Sequence, residues 1–132
     1  MSASQYNFSI EQGSSFQLSV TYSDSDNNPI DLTGWCARLV WVTDEDNTNI
    51  FVTTNSNLSL YKFSITNPSG LLILQIPASI TNTYTFTNAK YDLELESSNT
   101  IYGGGSKDIR RILYGDINII KRYSEFPTLL DC

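Results

Sequence analysis

The sequence predicts an all-β fold, an antiparallel β-sandwich of about seven to nine short strands with at most one short helical turn. Three observations support this prediction. Apolar and polar side chains alternate through Phe16–Tyr22, and this period of two places one face of a strand in the core and the other in water. Short strand-like segments recur about every ten residues, with turn residues between them. No long segment has the three-to-four-residue period of an amphipathic helix.

Three segments are predicted to form the centre of the fold. Trp35–Thr43 is apolar on nearly both faces and is predicted to be a central strand. Leu71–Ile76 is short and apolar, as expected of a buried strand. Lys90–Ser97 alternates again. Its inward residues are predicted to be Tyr91, Leu93 and Leu95, and its outward residues Asp92, Glu94 and Glu96. A small barrel built from the same strands is the alternative architecture at this point.

The remaining elements are less regular. Asn49–Thr54 and Leu58–Thr66 are predicted to pair with each other around Asn55–Asn57. Pro77–Tyr84 breaks the alternation and is predicted to contain one short helical turn, with the proline at its first position. The end of the domain is predicted to be two strands, or one strand bent at Gly115. The other predicted elements are the strands Tyr6–Ile10 and Ser15–Ser23, the turns Asp24–Pro29 and Asn67–Gly70, the loop Asn99–Asp108, and the final strands Ile109–Tyr114 and Asp116–Arg122.

The chain of 132 residues is expected to form one sandwich domain over residues 1–123, followed by a C-terminal tail, residues 124–132. Its two cysteines, Cys36 and Cys132, favour a reducing compartment and no structural disulfide. Neither a signal peptide nor a membrane-spanning segment is expected, because no basic region precedes an apolar run and no stretch approaches about 20 apolar residues.

The net charge of −6 indicates that nucleic acid is not a partner. The charge is unevenly distributed, since five of the eight basic residues follow residue 106. This predicts that one end of the domain is acidic and another neutral or basic, an arrangement that favours head-to-tail or ring contacts between copies.

The residue types present argue against catalysis and against a cofactor or metal. Histidine is absent, which removes the usual general base and the usual zinc ligand. Cys36 is predicted to be a buried structural thiol. Asp24, Asp26 and Asn28 have the spacing that opens a calcium loop, but Pro29 stands where the loop requires glycine, so a turn is favoured.

Other polar clusters also have structural explanations. The row Asp92, Glu94 and Glu96 is predicted to be a solvated or interface-facing side of a strand. Gly103–Gly105 lacks the spacing of a phosphate-binding loop and is predicted to be a flexible hairpin. Most aromatic residues fit inward strand positions, and those predicted to be exposed are Tyr61, Tyr84, Tyr102 and Tyr123.

The order of several motifs resembles the small immunoglobulin-like virion proteins of tailed bacteriophages, of the upper-baseplate and tail-fibre N-terminal domain type. These motifs cover most of residues 6–122, and they include the strand Phe16–Val20, the corner Pro29–Gly34, the strand Tyr91–Leu95 and the segment Arg111–Gly115. The resemblance implies an immunoglobulin-like sandwich. The chain departs from the usual pattern after residue 120, where it continues into the tail without a receptor-binding module, which favours a connector role.

We therefore expect a non-enzymatic structural virion protein, in the tail baseplate or at fibre attachment. A capsid decoration or head protein and a carbohydrate-binding β-sandwich are the alternatives. Expected partners are other virion proteins and copies of the chain itself, with no small-molecule substrate, and the expected location is the virion, assembled in the host cytoplasm. The predicted partner-binding residues are Tyr123, Phe126, Leu129 and Leu130.

Overall fold

The structure, a computed structural model, describes residues 3–100 and 107–123, with the backbone only at residues 98–100. Within these residues the chain forms nine strands and one helical turn. The elements are β1 (Ser4–Gln5), β2 (Phe8–Glu11), β3 (Phe16–Thr21), β4 (Trp35–Thr43), β5 (Thr48–Val52), β6 (Lys62–Thr66), β7 (Leu71–Ile76), α1 (Ala78–Thr81), β8 (Asn88–Thr100) and β9 (Lys107–Ile120).

The strands form two sheets that pack face to face. The larger sheet has the order β1-β9-β8-β4-β5, with β2 also paired to β9, and the smaller has the order β3-β7-β6. The buried side chains of both sheets form one hydrophobic core between them. The predicted all-β sandwich is confirmed, including its single short helical turn.

The larger sheet is organised around β4 and β8, which pair antiparallel over nine residues. Leu39 lies opposite Leu93, and Trp41 lies opposite Tyr91. The bounds of β4 and its central position match the prediction, as does the inward set on β8. The outer face of β4 is not fully covered, since Val42 is 47% exposed there.

The predicted pairing of residues 49–54 with residues 58–66 is also wrong. β5 pairs with β4, whereas β6 pairs with β7 in the other sheet. The connection crosses between the sheets and is held by Tyr61, whose buried ring packs edge-to-face on Phe51 at 5.0 Å. The Tyr61 hydroxyl also donates to the backbone oxygen of Asn55 at 3.1 Å. A buried aromatic anchor inside the connection therefore overrides the simple hairpin that sequence proximity indicated.

The last strand, β9, is continuous through Gly115 and has a β-bulge near Ile112. The bulge changes which residues point inward. Asp108 and Ile112 are buried before it, whereas Ile117 and Ile119 are buried after it. An extra residue on one strand of an antiparallel pair has this effect because it shifts the alternation by one.

The N-terminal strands attach to β9 in parallel, unlike every other strand pair in the described part of the chain. The backbone nitrogen of Tyr6 donates to the oxygen of Tyr114 at 2.8 Å. The Tyr91 hydroxyl donates to the oxygen of Tyr6 at 2.6 Å, and the ring of Phe8 packs edge-to-face on Tyr91. Burial, with smaller contributions from the neighbouring Tyr6 and Asp92, raises the pKa of Tyr91 to about 12.

The α1 turn lies in the connection between β7 and β8 and is fixed by Thr81. Its hydroxyl donates to the oxygen of Ser14 at 2.8 Å and accepts from the nitrogen of Gly13 at 3.1 Å. Pro77 is the residue before the first helical position, one place earlier than predicted. Thr81 therefore ties this connection to the turn between β2 and β3.

Gly115 is required where the N-terminal segment crosses β9. A Cβ atom at this position would overlap the backbone oxygen of Tyr6. We expect Gly115→Ala to lower the free energy of unfolding by about 1–3 kcal/mol, because the two backbones must move apart. Urea denaturation measures the loss, with Ser9→Ala on the exposed face of β2 as the control. A Gly115→Ala protein as stable as the control would contradict this role of the glycine.

Candidate functional site

Of the four predicted partner-binding residues, the structure describes only Tyr123. Its side chain is 96% exposed, three residues beyond the end of β9. Phe126, Leu129 and Leu130 lie outside the described residues, as do Tyr102 and Gly103–Gly105. Tyr123 is therefore accessible to a partner, and its role in partner binding stays a prediction.

The acidic turn residues bond the local backbone. The Asp24 carboxylate accepts from the nitrogens of Asp26 and Asn28, both at 2.9 Å, which is an Asx turn. The Asp31 carboxylate accepts from the hydroxyl of Thr33 at 2.7 Å and from its nitrogen at 3.0 Å, and these bonds lower the pKa of Asp31. Across the described ranges, no group of three or more metal-ligating side chains is present.

Two carboxylates on β8, those of Asp92 and Glu94, belong to cross-strand ion pairs on the outer face of the larger sheet. Arg38 on β4 donates to Glu94 at 2.6 Å, and Arg111 on β9 donates to Asp92 at 2.5 Å. We call these two pairs, together with Lys90–Asp116 at 3.5 Å, the ion-pair ladder. Neighbouring cations neutralise these carboxylates across three strands, so the arrangement resembles a polar sheet surface and not a convergent acid–base pair.

An exposed apolar strip borders the ladder at the β5 edge of the sheet. It consists of Val40, Val42 and Ile50, with Val40 directly opposite Ile50. Ile50 is 56% exposed and Val42 is 47% exposed, while Val40 is half-buried. An apolar patch beside a polar surface is the arrangement expected of a protein contact surface.

Cys36 lies on this same outer face, opposite Glu96. It is a free thiol and is half-buried, so the prediction of a buried structural thiol is only partly correct. The predicted exposure of Tyr61 and Tyr84 is wrong, because both rings belong to the core. Tyr84 packs edge-to-face on Trp41 at 5.7 Å, and burial raises the pKa of its hydroxyl.

A second candidate surface is an open groove of about 950 Å³, here called the β3–β9 groove. One side is the end of β3 with the residues that follow it, and the other is Asp108–Leu113 of β9. Ala3 and Ser4 also line it. Two strand edges from different sheets therefore border one cavity.

Arg110 is held in a fixed position at this groove. Its Nε donates to the carboxylate of Asp108 at 3.0 Å, and its guanidinium lies over the ring of Trp35 at 5.3 Å from the centroid. Asp108 is buried, at 7% exposure. Hydrogen bonds to Tyr22 and then to Asp108 raise the pKa of Arg110 above its ordinary value. Arg110 is thus a preorganised cation with part of its guanidinium facing solvent.

No sequence pattern predicted this cluster. Its members come from β9, from the residue after β3 and from the start of β4, which only the fold brings together. The one sequence signal was the spacing of Asp108 and Arg110, two residues apart on a predicted strand, which places both on one face.

Comparison of the chain with protein-family models finds no match, and the same is true of the comparison with curated proteins. Among the described residues, no helix combines the length and the apolar character needed to cross a membrane.

We expect Arg110→Ala to lower the free energy of unfolding by about 2–3 kcal/mol, because it leaves the buried Asp108 carboxylate without its cation. Arg111→Ala is the matched control on the same strand. Its partner Asp92 has a side chain that is 46% exposed, so the expected loss is below about 1 kcal/mol. Urea denaturation compares the two variants, and equal losses would contradict the structural role assigned to Arg110.

Proposed function

We propose that this chain is a non-enzymatic structural protein of a tailed-bacteriophage particle, in the tail baseplate or at fibre attachment. The motif order over residues 6–122 supports this class of protein, and the all-β sandwich agrees with it. The proposed partners are other virion proteins and further copies of the chain, and the proposed location is the virion.

The strand order supports an immunoglobulin-like fold as part of the proposal. In that fold, strands C, F and G of one sheet face strands B, E and D of the other, and variable-type domains add C′ beside C. Here β5-β4-β8-β9 faces β3-β7-β6. Taken in chain order, β3 to β9 correspond to strands B, C, C′, D, E, F and G of that fold. The N-terminal strands lie beside the last strand, β9.

The main support for an assembly role is the apolar strip, which lies beside the ion-pair ladder on a broad sheet face. Val42 and Ile50 are exposed in the isolated chain, so covering them with a partner gains free energy from apolar burial. The ladder beside them is internally neutralised, which lowers the cost of bringing a second surface close. In a symmetric particle each such contact recurs in many copies, so a weak single contact is sufficient.

The carbohydrate-binding alternative has less support. Such a module needs exposed aromatic rings beside polar side chains, and Tyr61 and Tyr84 are buried. Tyr6 and Tyr123 are exposed, but Tyr6 lies beside β1 whereas Tyr123 lies beyond the end of β9.

A capsid decoration protein would use the same strip and ladder, so the distinction between head and tail requires an experiment.

We expect purified particles of the phage that encodes this chain to contain it at a fixed copy number, in isolated tails and not in isolated heads. Quantitative mass spectrometry of heads and tails separated by gradient centrifugation measures this. Its presence in heads alone would support the decoration alternative. Its absence from particles would contradict the proposal, and specific binding on an oligosaccharide array would favour the carbohydrate alternative.

A matched pair of variants tests whether the strip is the contact surface. Ile50→Asn is expected to reduce incorporation into particles several-fold while the isolated protein remains folded. Leu58→Asn changes a side chain that is 74% exposed and lies outside the strip, so its incorporation is expected to match the unmodified chain. Equal incorporation of both variants would show that the strip is not the surface through which the chain is incorporated into particles.

A further inference from the structure

The β3 strand is an open sheet edge without the usual protection against pairing. Within the described residues it bonds only to β7. Its sequence, Phe-Gln-Leu-Ser-Val-Thr, contains neither a charged residue nor proline. Exposed edge strands in proteins normally carry such residues because a bare edge is a template for another strand. By comparison, β6 at the opposite edge of the same sheet begins with Lys62.

A second open edge borders the same cavity. Between Lys107 and Ile112, β9 pairs with β8 and with no other strand of the described ranges, since β1 first pairs with β9 at Leu113. The β3–β9 groove lies between the end of β3, at Val20 and Thr21, and this part of β9. An extended segment that enters the groove would meet the open edge of β3 at this end of the strand and would also cover the start of β9.

Arg110 indicates the chemistry of such a segment. Its guanidinium is fixed by Asp108, Tyr22 and Trp35, so little side-chain entropy remains to be lost on binding. An arginine held in this way is suited to bind a carboxylate through paired hydrogen bonds. The groove therefore favours an extended segment that carries an acidic side chain.

Residues 124–132 of this chain have that composition. The segment contains Glu125 and Asp131, no basic residue, and the apolar side chains Phe126, Leu129 and Leu130. Its nine residues span about 30 Å when extended, longer than the roughly 20 Å of a six-residue strand such as β3.

The point where the chain leaves the sandwich favours a second copy as the source of the segment. Lys121 donates to the oxygen of Thr85 at 2.7 Å, and the nitrogen of Arg122 donates to the side-chain oxygen of Gln12 at 2.9 Å. These contacts lie beyond the C-terminal end of β9, whereas the groove lies at its N-terminal half. To reach its own groove, the segment would have to turn back along an edge of β9 that β1 and β2 already occupy.

We propose that residues 124–132 of one copy add as a strand to β3 in the β3–β9 groove of a second copy, with an acidic side chain on Arg110. The proposal deepens the assembly function above and rests on it. Because the segment and the groove are different surfaces, the contact is head-to-tail and produces a ring or a filament.

Intermolecular paramagnetic broadening tests this proposal with the full chain. One copy carries a nitroxide on its natural Cys132 in a Cys36→Ser background, and it is mixed with an unmodified ¹⁵N-labelled copy. We expect concentration-dependent broadening of amide signals from Thr21, Ser23 and Asp108–Ile112. The signals of β5, another uncharged edge strand, serve as the internal control and are expected to keep their intensity.

Each other outcome overturns the proposal. No groove broadening at the highest soluble concentration excludes the contact. Broadening of the groove only when the nitroxide and ¹⁵N are in the same molecule identifies the chain's own tail as the occupant. Strongest broadening at β5 places the segment on the other edge.

Arg110→Gln and Lys62→Gln form the matched pair for the carboxylate contact, since Lys62 is an exposed cation on β6 that lines neither the groove nor the ion-pair ladder. Arg110→Gln is expected to weaken the association about tenfold, as loss of a charged hydrogen bond implies, whereas Lys62→Gln leaves it unchanged. Equal affinity of both variants would exclude Arg110 as the contact.

The particle experiment separates this inference from the proposed function. If the chain is present in tails but its groove signals are not broadened, only the proposed strand addition is wrong. If the groove signals are broadened but the chain is absent from particles, only the proposed phage role is wrong.

Discussion

The parallel attachment of the N-terminal segment to β9 is the constraint on which the rest of the structure depends. Gly115 allows the backbone at Tyr6 to approach β9, and the buried Tyr91 hydroxyl bonds to the oxygen of Tyr6. Because β1 and β2 are committed to the larger sheet, β3 has no neighbour on its outer side among the described residues. The open edge and the groove beside it are direct consequences of this choice of sheet.

The bulge near Ile112 also determines which side chains reach the surface. The bulge shifts by one residue the alternation of inward and outward side chains along β9. Asp108 therefore lies on the buried side in the first half of the strand, and Ile117 also points inward in the second half. The same strand thereby supplies core side chains at one end and a fixed cation, Arg110, at the other. On the outer face, cross-strand ion pairs neutralise Asp92 and Glu94 of β8, and the apolar strip lies exposed beside them.

Period-two hydrophobicity was sufficient to predict the strands that dominate the core, and the bounds of β4 and β7 were predicted correctly. Pairing between strands was harder to predict, because it depends on contacts distant in sequence. Tyr61 anchors a crossing between sheets where a hairpin was expected. The basic residues late in the chain lie towards both ends of β9, since Lys107 begins the strand and Lys121 follows it, roughly 45 Å away in an extended chain. The crossing and the positions of these basic residues both follow from how the strands are arranged in space, which the alternation of apolar and polar residues does not specify. The Arg110 cluster was missed for the same reason, and three of the four predicted partner-binding residues lie outside the described residues.

We infer that β3 is an open edge that another chain completes, and amide hydrogen exchange of this strand is the most direct test. In dilute monomeric protein, the account predicts slow exchange throughout β4 and β8 but rapid exchange at alternate residues of Phe16–Thr21, whose amides point away from β7. On concentration into assemblies, the same amides should become protected. Uniform protection of β3 in the dilute monomer, or no change in its exchange on assembly, would contradict the account.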